Sequence, residues 1–173
     1  MHGTFATVDG RPVLQFKRRT FQSIYGVWPA VTEPAELPHW FPASVTVDLR
    51  LGGKMTFVFP GTALPDMVGE VIEFDQPRRF AFLWGQEQIG FELAPSVDDG
   101  GCLYVFTHVL TSGDQAAREA AGWHVCLDAL ERHLVADLAL PASAPSTGPT
   151  STWRILYDEY VRRGLPSGAP VPG

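Results

Sequence analysis

Cysteine is scarce in this chain: only Cys102 and Cys126 are present. Two cysteines make neither a disulfide framework nor a closed zinc site. They read as free, mostly buried thiols of a reducing compartment, with nothing nearby to lower a thiol pKa. Long apolar runs are missing too. No stretch approaches the roughly 20 residues of a membrane helix, and residues 1–10 hold no apolar signal core. A soluble cytoplasmic protein with no membrane span is the expectation. Positive charge is in deficit, with 13 basic against 19 acidic residues and a net charge of -6. That argues against nucleic acid as a partner, since general binding needs a basic face; Lys17-Arg18-Arg19 is only a local patch. Gly52-Gly53 and Gly100-Gly101 lack the lysine and helix context of a phosphate loop. No serine stands in a nucleophile elbow. No cofactor is called for.

What is present is enough for a core. Apolar residues make up 45% and charged residues 18% of 173, the balance of one globular domain. Residues 1–12 read as a flexible arm with Asp9-Gly10-Arg11-Pro12 as a turn, and 13–21 as a first strand with a wet side at Arg18 and Arg19. Residues 23–32 read as a short helix, broken or kinked at Pro29. A second short helix restarts at Thr32-Glu33-Pro34-Ala35-Glu36, with Thr32 as its cap, and stops at Pro38. From Ser44 the period becomes two. Strands are expected over 44–51, 54–59, 67–74, 78–84, 88–93 and 102–110, separated by tight turns. Such a series is an antiparallel meander.

A long helix follows over 114–138, with Trp123, Leu127, Leu130 and Leu134 in one stripe. One helix cannot bury a stripe alone, so it must lie across a curved sheet, and such an arrangement commonly leaves room for a ligand. Residues 141–151 form a Pro/Ala/Ser/Thr-rich linker. Residues 152–164 form a terminal helix carrying Trp153, Leu156, Tyr157 and Tyr160, which packs back on the domain at 13–140. Residues 165–173 are a frayed tail.

The order and spacing of several pieces resemble a known family. They are Val27-Trp28 with Thr32 to Leu37 and Trp40-Phe41; Val47-Asp48-Leu49-Arg50 with Gly52-Gly53; Gly69-Glu70-Val71 with Pro77-Arg78-Arg79 and Trp84; Phe91-Glu92-Leu93; Thr107-His108; and Gly122-Trp123 with Leu127-Asp128 and Leu130. Over residues 14–138 the chain is similar to the heat-shock-protein ATPase activator homologue-like proteins. These are a bacterial and eukaryotic branch of the START-related helix-grip superfamily (SRPBCC). The resemblance implies an α+β helix-grip fold: a seven-stranded antiparallel sheet curved around a long C-terminal helix, with two short helices after strand 1. It does not imply one activity, because lipid carriers, polyketide cyclases and a co-chaperone domain share it.

Candidate cavity residues are Trp40, Phe57, Phe59, Glu70, Trp84, Phe91, Phe106, His108, Trp123 and Leu127. The aromatics read equally as a pocket for a flat apolar ligand or as the core beneath the helix. Trp40 with Phe41 gates the mouth or caps the core. His108 shares a face with Tyr104 and Phe106, and is either a polar anchor inside the cavity or a hydrogen-bonded core histidine. No acidic neighbour is evident for it in the sequence. Glu70 reads as sharing a face with Val68, Ile72 and Phe74. It either lines a wet cavity or pairs with Arg50 or Arg79. His124 belongs at the flank of the long helix, and a His108–His124 pair lacks a third ligand, so no metal site is expected.

These residues support first a protein that binds an apolar or aromatic small molecule. An alternative is a polyketide-cyclase-like enzyme using His108 and Glu70 as base and acid. Another is a chaperone-associated protein–protein module. A homodimer through the sheet edge or the terminal helix is compatible with all three.

Overall fold

A computed structural model describes residues 1–97, 100–136 and 150–171. It holds one antiparallel sheet of eight strands. In chain order these are β1 (Thr4–Val8), β2 (Arg11–Thr20), β3 (Ser44–Val47), β4 (Lys54–Val58), β5 (Met67–Asp75), β6 (Arg79–Trp84), β7 (Glu87–Pro95) and β8 (Cys102–Val109). The helices are α1 (Ile24–Thr32), α2 (Ala116–Ala136) and α3 (Ser151–Arg162). Across the sheet the order is β1-β2-β8-β7-β6-β5-β4-β3. The expected meander is therefore present, closed by β2 pairing back onto β8.

The eighth strand is a correction. Residues 4–8, read as a loose arm, form β1 because Asp9-Gly10 is a two-residue hairpin turn. Both residues have positive φ (49° and 78°), the geometry that two-residue hairpins require. β1 alternates weakly and only Phe5 on it is partly buried, so its periodicity is faint. Just before it, Gly3 lies so close to Phe16 that a Cβ would stand 2.5 Å from the ring. Only glycine lets the chain pass there.

The two short helices follow β2 but differ from expectation. α1 runs through Pro29 without a break, capped at its start by Ser23, whose hydroxyl accepts from the Gly26 N–H. The second is a single 3-10 turn, Leu37–His39. Thr32 caps nothing; its hydroxyl donates to the Trp28 carbonyl inside α1. The Trp40 indole N–H donates to the Ala30 carbonyl and pins the turn to α1.

The inner face of the sheet is built in rows across the strands. Phe16, Phe106, Phe91 and Phe80 are cross-strand neighbours in one row. Leu14, His108, Ile89 and Phe82 form the next. Arg18, Tyr104 and Leu93 form a third on the other side. α2 lies over these rows with Trp123, Leu127, Leu130 and Leu134 buried. Residues 137 and 138, expected in this helix, and the linker at 141–149 lie outside the described residues.

α3 packs along α2, started by Thr150, whose hydroxyl accepts from the Trp153 N–H. The segment after it, read as a frayed tail, is tied down as far as it is described. The Pro166 carbonyl accepts from the Ala117 N–H, and the Ala169 N–H donates to the Asp114 carbonyl. The first turn of any helix has N–H groups with no partner of its own, and this tail supplies one acceptor.

Candidate functional site

Of the candidate residues, the structure brings nine to the inner face or to α2 over it, and places Glu70 elsewhere. Trp40, Phe57, Phe91, Phe106, His108 and Leu127 are buried, as is Trp123. Phe59 and Trp84 are partly buried against the same core. Glu70 is exposed, opposite Lys54 on the outer face. The reason is a bulge in β5 between Val71 and Glu73. It inserts a residue and switches faces, so that Gly69 and Val71 point inward before it and Phe74 packs on Trp28 after it. Strict alternation through the bulge groups Glu70 with Phe74; the bulge separates them. Arg50 and Arg79, the partners considered for Glu70, pair instead with Asp48 and with Glu73 and Glu92.

The acidic neighbour of His108 is Glu87. His108 has no solvent exposure, and its Nε2 lies 2.8 Å from Glu87 Oε2. Its Nδ1 accepts from the Trp123 indole N–H at 2.9 Å. An indole N–H only donates, so Nδ1 carries a lone pair and the ring proton sits on Nε2, facing Glu87. The other Glu87 oxygen accepts from the backbone N–H and the hydroxyl of Thr111, both at 3.0 Å. Burial alone would raise the Glu87 carboxyl; the hydrogen bonds from His108 and Thr111 outweigh it and hold it below its ordinary value. In the sequence Glu87 keeps the parity of Ile89 and Phe91. That was the available signal, hidden by a strand taken to begin one residue later.

Beside this triad stands an aromatic wall. Trp123 lies 4.7 Å from Phe106, 5.8 Å from Phe41 and 6.3 Å from Trp84, centroid to centroid. Trp84 also meets Phe57 and Phe59. The wall runs from a closed interior at Phe57 to rings that reach the surface at Phe59 and Trp84. A separate open groove of about 480 Å³ lies on the outer face, lined by Ile72, Ala81, Gln88, Gly90 and Thr107 among others.

A second buried polar group was missed. Arg18, expected on the wet side of β2, is inward and only 5% exposed. Its Nη1 bonds Asp128 Oδ1 at 2.8 Å and Glu131 Oε1 at 3.0 Å, both from α2. Against the cost of burial, these carboxylates hold it above its ordinary pKa. Its Nε and Nη2 are buried and without a partner among the described residues. Nearby, His124 Nδ1 lies 2.8 Å from the Tyr160 hydroxyl, and that hydroxyl accepts from the Gly3 N–H. His124 does sit on the flank of α2, but α3 covers that flank. Burial pushes its pKa down to about 4, against the pull of Asp128. Both cysteines are free and buried, and burial pushes the Cys126 thiol up to about 12.

Among the described residues no helix is long and apolar enough to cross a membrane. No curated protein sequence matches the chain. Solved structures do. The conserved protein EF2215 from Enterococcus faecalis superposes with a TM-score of 0.72 at 19% identity, over 93% of this chain and 89% of that one. CalU16 from Micromonospora echinospora gives 0.68 at 22% identity, over 92% and 88%. An activator-homologue-like protein from Aeromonas hydrophila gives 0.58 at 24% identity, over 71% and 93%. At these identities the likeness shows the fold. The profile of one family, described as Activator of Hsp90 ATPase homolog 1-like protein, matches residues 23–135, from the cap of α1 to the last turn of α2. That span holds β3 to β8, the His108–Glu87–Trp123 triad and the aromatic wall, and the chain belongs to this family.

Proposed function

We propose that this protein binds an apolar or aromatic small molecule between the inner sheet face and α2, at the end marked by Trp84, Phe59 and Trp123. The observation that carries this reading is the pairing of an aromatic wall with one buried, oriented polar group. His108 is fully buried, and its ring is fixed by Glu87 on one side and Trp123 on the other. Pockets for small ligands are mostly apolar, with few polar groups to set orientation. Phe59 and Trp84 reach the surface and provide the way in. Entry turns these rings outward, and an aromatic ligand replaces their contacts with Trp123 and Phe41. A ligand that accepts a hydrogen bond takes the Trp123 N–H from His108.

A second reading uses the same place for proton transfer on a cyclisable polyketone-type substrate. The observation behind it is the 2.8 Å contact between Glu87 and His108, which orients the imidazole as carboxylates orient catalytic histidines. Glu87 orients the base, and Glu70, the expected acid, lies on the outer face and takes no part. The base nitrogen is Nδ1, and it becomes available when Trp123 turns away.

Native mass spectrometry of freshly purified full-length protein, with titration of a hydrophobic fluorescent dye, tests the binding reading. A co-purifying small molecule or saturable dye binding is expected, weakened in Trp84→Ala. An empty protein that also takes up no dye overturns it.

A further inference from the structure

A group of metal-type donors stands apart from the aromatic site, where the 3-10 turn meets the last turn of α2. Glu36, His39 and His133 each offer one donor atom, and these atoms all lie within 4.8 Å of one another. Two imidazoles and one carboxylate from two packed elements make a donor set suited to a first-row divalent ion. We propose that Glu36, His39 and His133 form a binding site for a divalent transition-metal ion of the Zn²⁺ type.

The local structure explains why three donors converge. In a 3-10 turn, residues three apart lie one above the other. Glu36 and His39 have that spacing, closed by the His39 N–H donating to the Glu36 carbonyl at 3.1 Å. Their side chains therefore leave the same edge. The turn is fixed by its buried neighbours Leu37 and Trp40. α2 is fixed by Leu130 and Leu134, which leaves His133 beside the turn. The His39 and His133 rings stack at 4.3 Å with 16° between planes, and His133 Nε2 lies 2.7 Å from Glu36 Oε2.

The distances suit an ion after small movements. Zinc–nitrogen and zinc–oxygen bonds near 2.0–2.2 Å put tetrahedral donors about 3.3 Å apart. The Glu36–His133 contact opens by about half an ångström from its hydrogen-bonded distance, and the His39 ring, now stacked almost parallel to His133 with its lone pairs alongside, turns about its side-chain torsions to aim a nitrogen at the same point. The ion takes the place of the proton now shared by His133 Nε2 and Glu36 Oε2; that proton moves to Nδ1 or leaves to solvent. Glu36 is about a third exposed (37%) and His133 less so (19%), so the site opens to solvent. Three protein donors leave the fourth position for water or a small anionic ligand. That is the pattern of an exchangeable ion, whereas a structural zinc has all four positions filled by protein.

The test is titration of tag-free, full-length protein with Zn²⁺ by calorimetry, and with Co²⁺ by visible absorption. One equivalent is expected to bind, with a raised Tm and a ligand-field spectrum. His133→Ala and His39→Ala are each expected to weaken binding by more than the roughly 10–100-fold that losing an outer-shell partner costs. Glu36→Gln should weaken it as well. Circular dichroism and Tm without metal establish that the variants fold. His39 is half-buried on a single 3-10 turn outside the long helix, so His39→Ala decides the matter if His133→Ala unfolds. The other histidine pair, His2 and His124, lies 5.1 Å apart and is a competing site. His2→Ala should leave the affinity unchanged. Absence of saturable binding overturns the proposal, as does binding that His39→Ala and His133→Ala leave intact or that His2→Ala removes.

Discussion

Among the buried polar groups on the inner face of the sheet, His108 and Arg18 both face the long helix α2. At one end His108, Glu87 and Trp123 form a set in which every ring nitrogen has a partner. At the other, Arg18 joins β2 to Asp128 and Glu131 but leaves two buried nitrogens without one among the described residues. A buried polar group is cheap only when its hydrogen bonds are complete. The first end is therefore rigid and oriented, and the second holds charge at a cost. Under the proposed reading, the first end orients a ligand and the second ties sheet to helix. His108 presents a fixed ring beside an aromatic wall. The two carboxylates facing Arg18 are partly exposed, at 41% and 36% of their side chains.

The comparison breaks most visibly at Trp123. Trp123→Ala removes a buried indole from four aromatic neighbours and strands His108 Nδ1, and should cost about 3–5 kcal/mol in denaturant unfolding. Trp123→Phe keeps most of the packing and should cost about 1 kcal/mol or more through the lost hydrogen bond. Equal costs for the two variants would mean that only the hydrogen bond matters.

Acid distinguishes the two ends next. His124, whose Nε2 lies 3.6 Å from the Asp128 carboxylate that Arg18 also holds, has a folded pKa of about 4, below the 6.5 of an unfolded histidine. Between those values the unfolded chain binds a proton that the folded chain refuses, so stability falls as pH drops from 6.5 toward 4. The loss should be about 1–3 kcal/mol and should shrink in His124→Asn, which keeps an acceptor for Tyr160. Glu87, at the other end, has a depressed pKa, so its contribution is full above about 4.5 and is lost only as pH falls further through its folded value. Urea midpoints measured across pH 3.5–7 separate the two windows. No change in the upper window on removing His124 would end this assignment.

The smallest effect is expected at Arg18. Arg18→Met keeps the length of the stem and removes two unpartnered donors, while Asp128 and Glu131 turn to water. Stability should change by less than about 1 kcal/mol, in either direction. A loss of 3 kcal/mol or more would show that the ion pairs outweigh the desolvation of the guanidinium.

Most of the fold was legible because the period-two pattern is strong where a strand has one buried face. β6, β7 and β8 lie within a residue or two of their expected limits. The long helix followed from the spacing of Trp123, Leu127, Leu130 and Leu134. The inward position of His108 followed from Tyr104 and Phe106. Three things were not legible. β1 pairs through a turn chemistry stronger than its own alternation. The β5 bulge moves Glu70 to the outer face without leaving a mark in the residue pattern. Arg18 looks like a surface charge until its partners on α2, more than a hundred residues away, are known.

Local sequence by itself determined seven of the eight strands, the long helix and its apolar stripe, because hydrophobic periodicity is a property of neighbouring residues. Tertiary structure alone decided which polar groups meet. Glu87 with His108, Arg18 with Asp128 and Glu131, and His133 with Glu36 are contacts between separate elements. Their worth depends on burial, and burial exists only once sheet and helix have closed on each other.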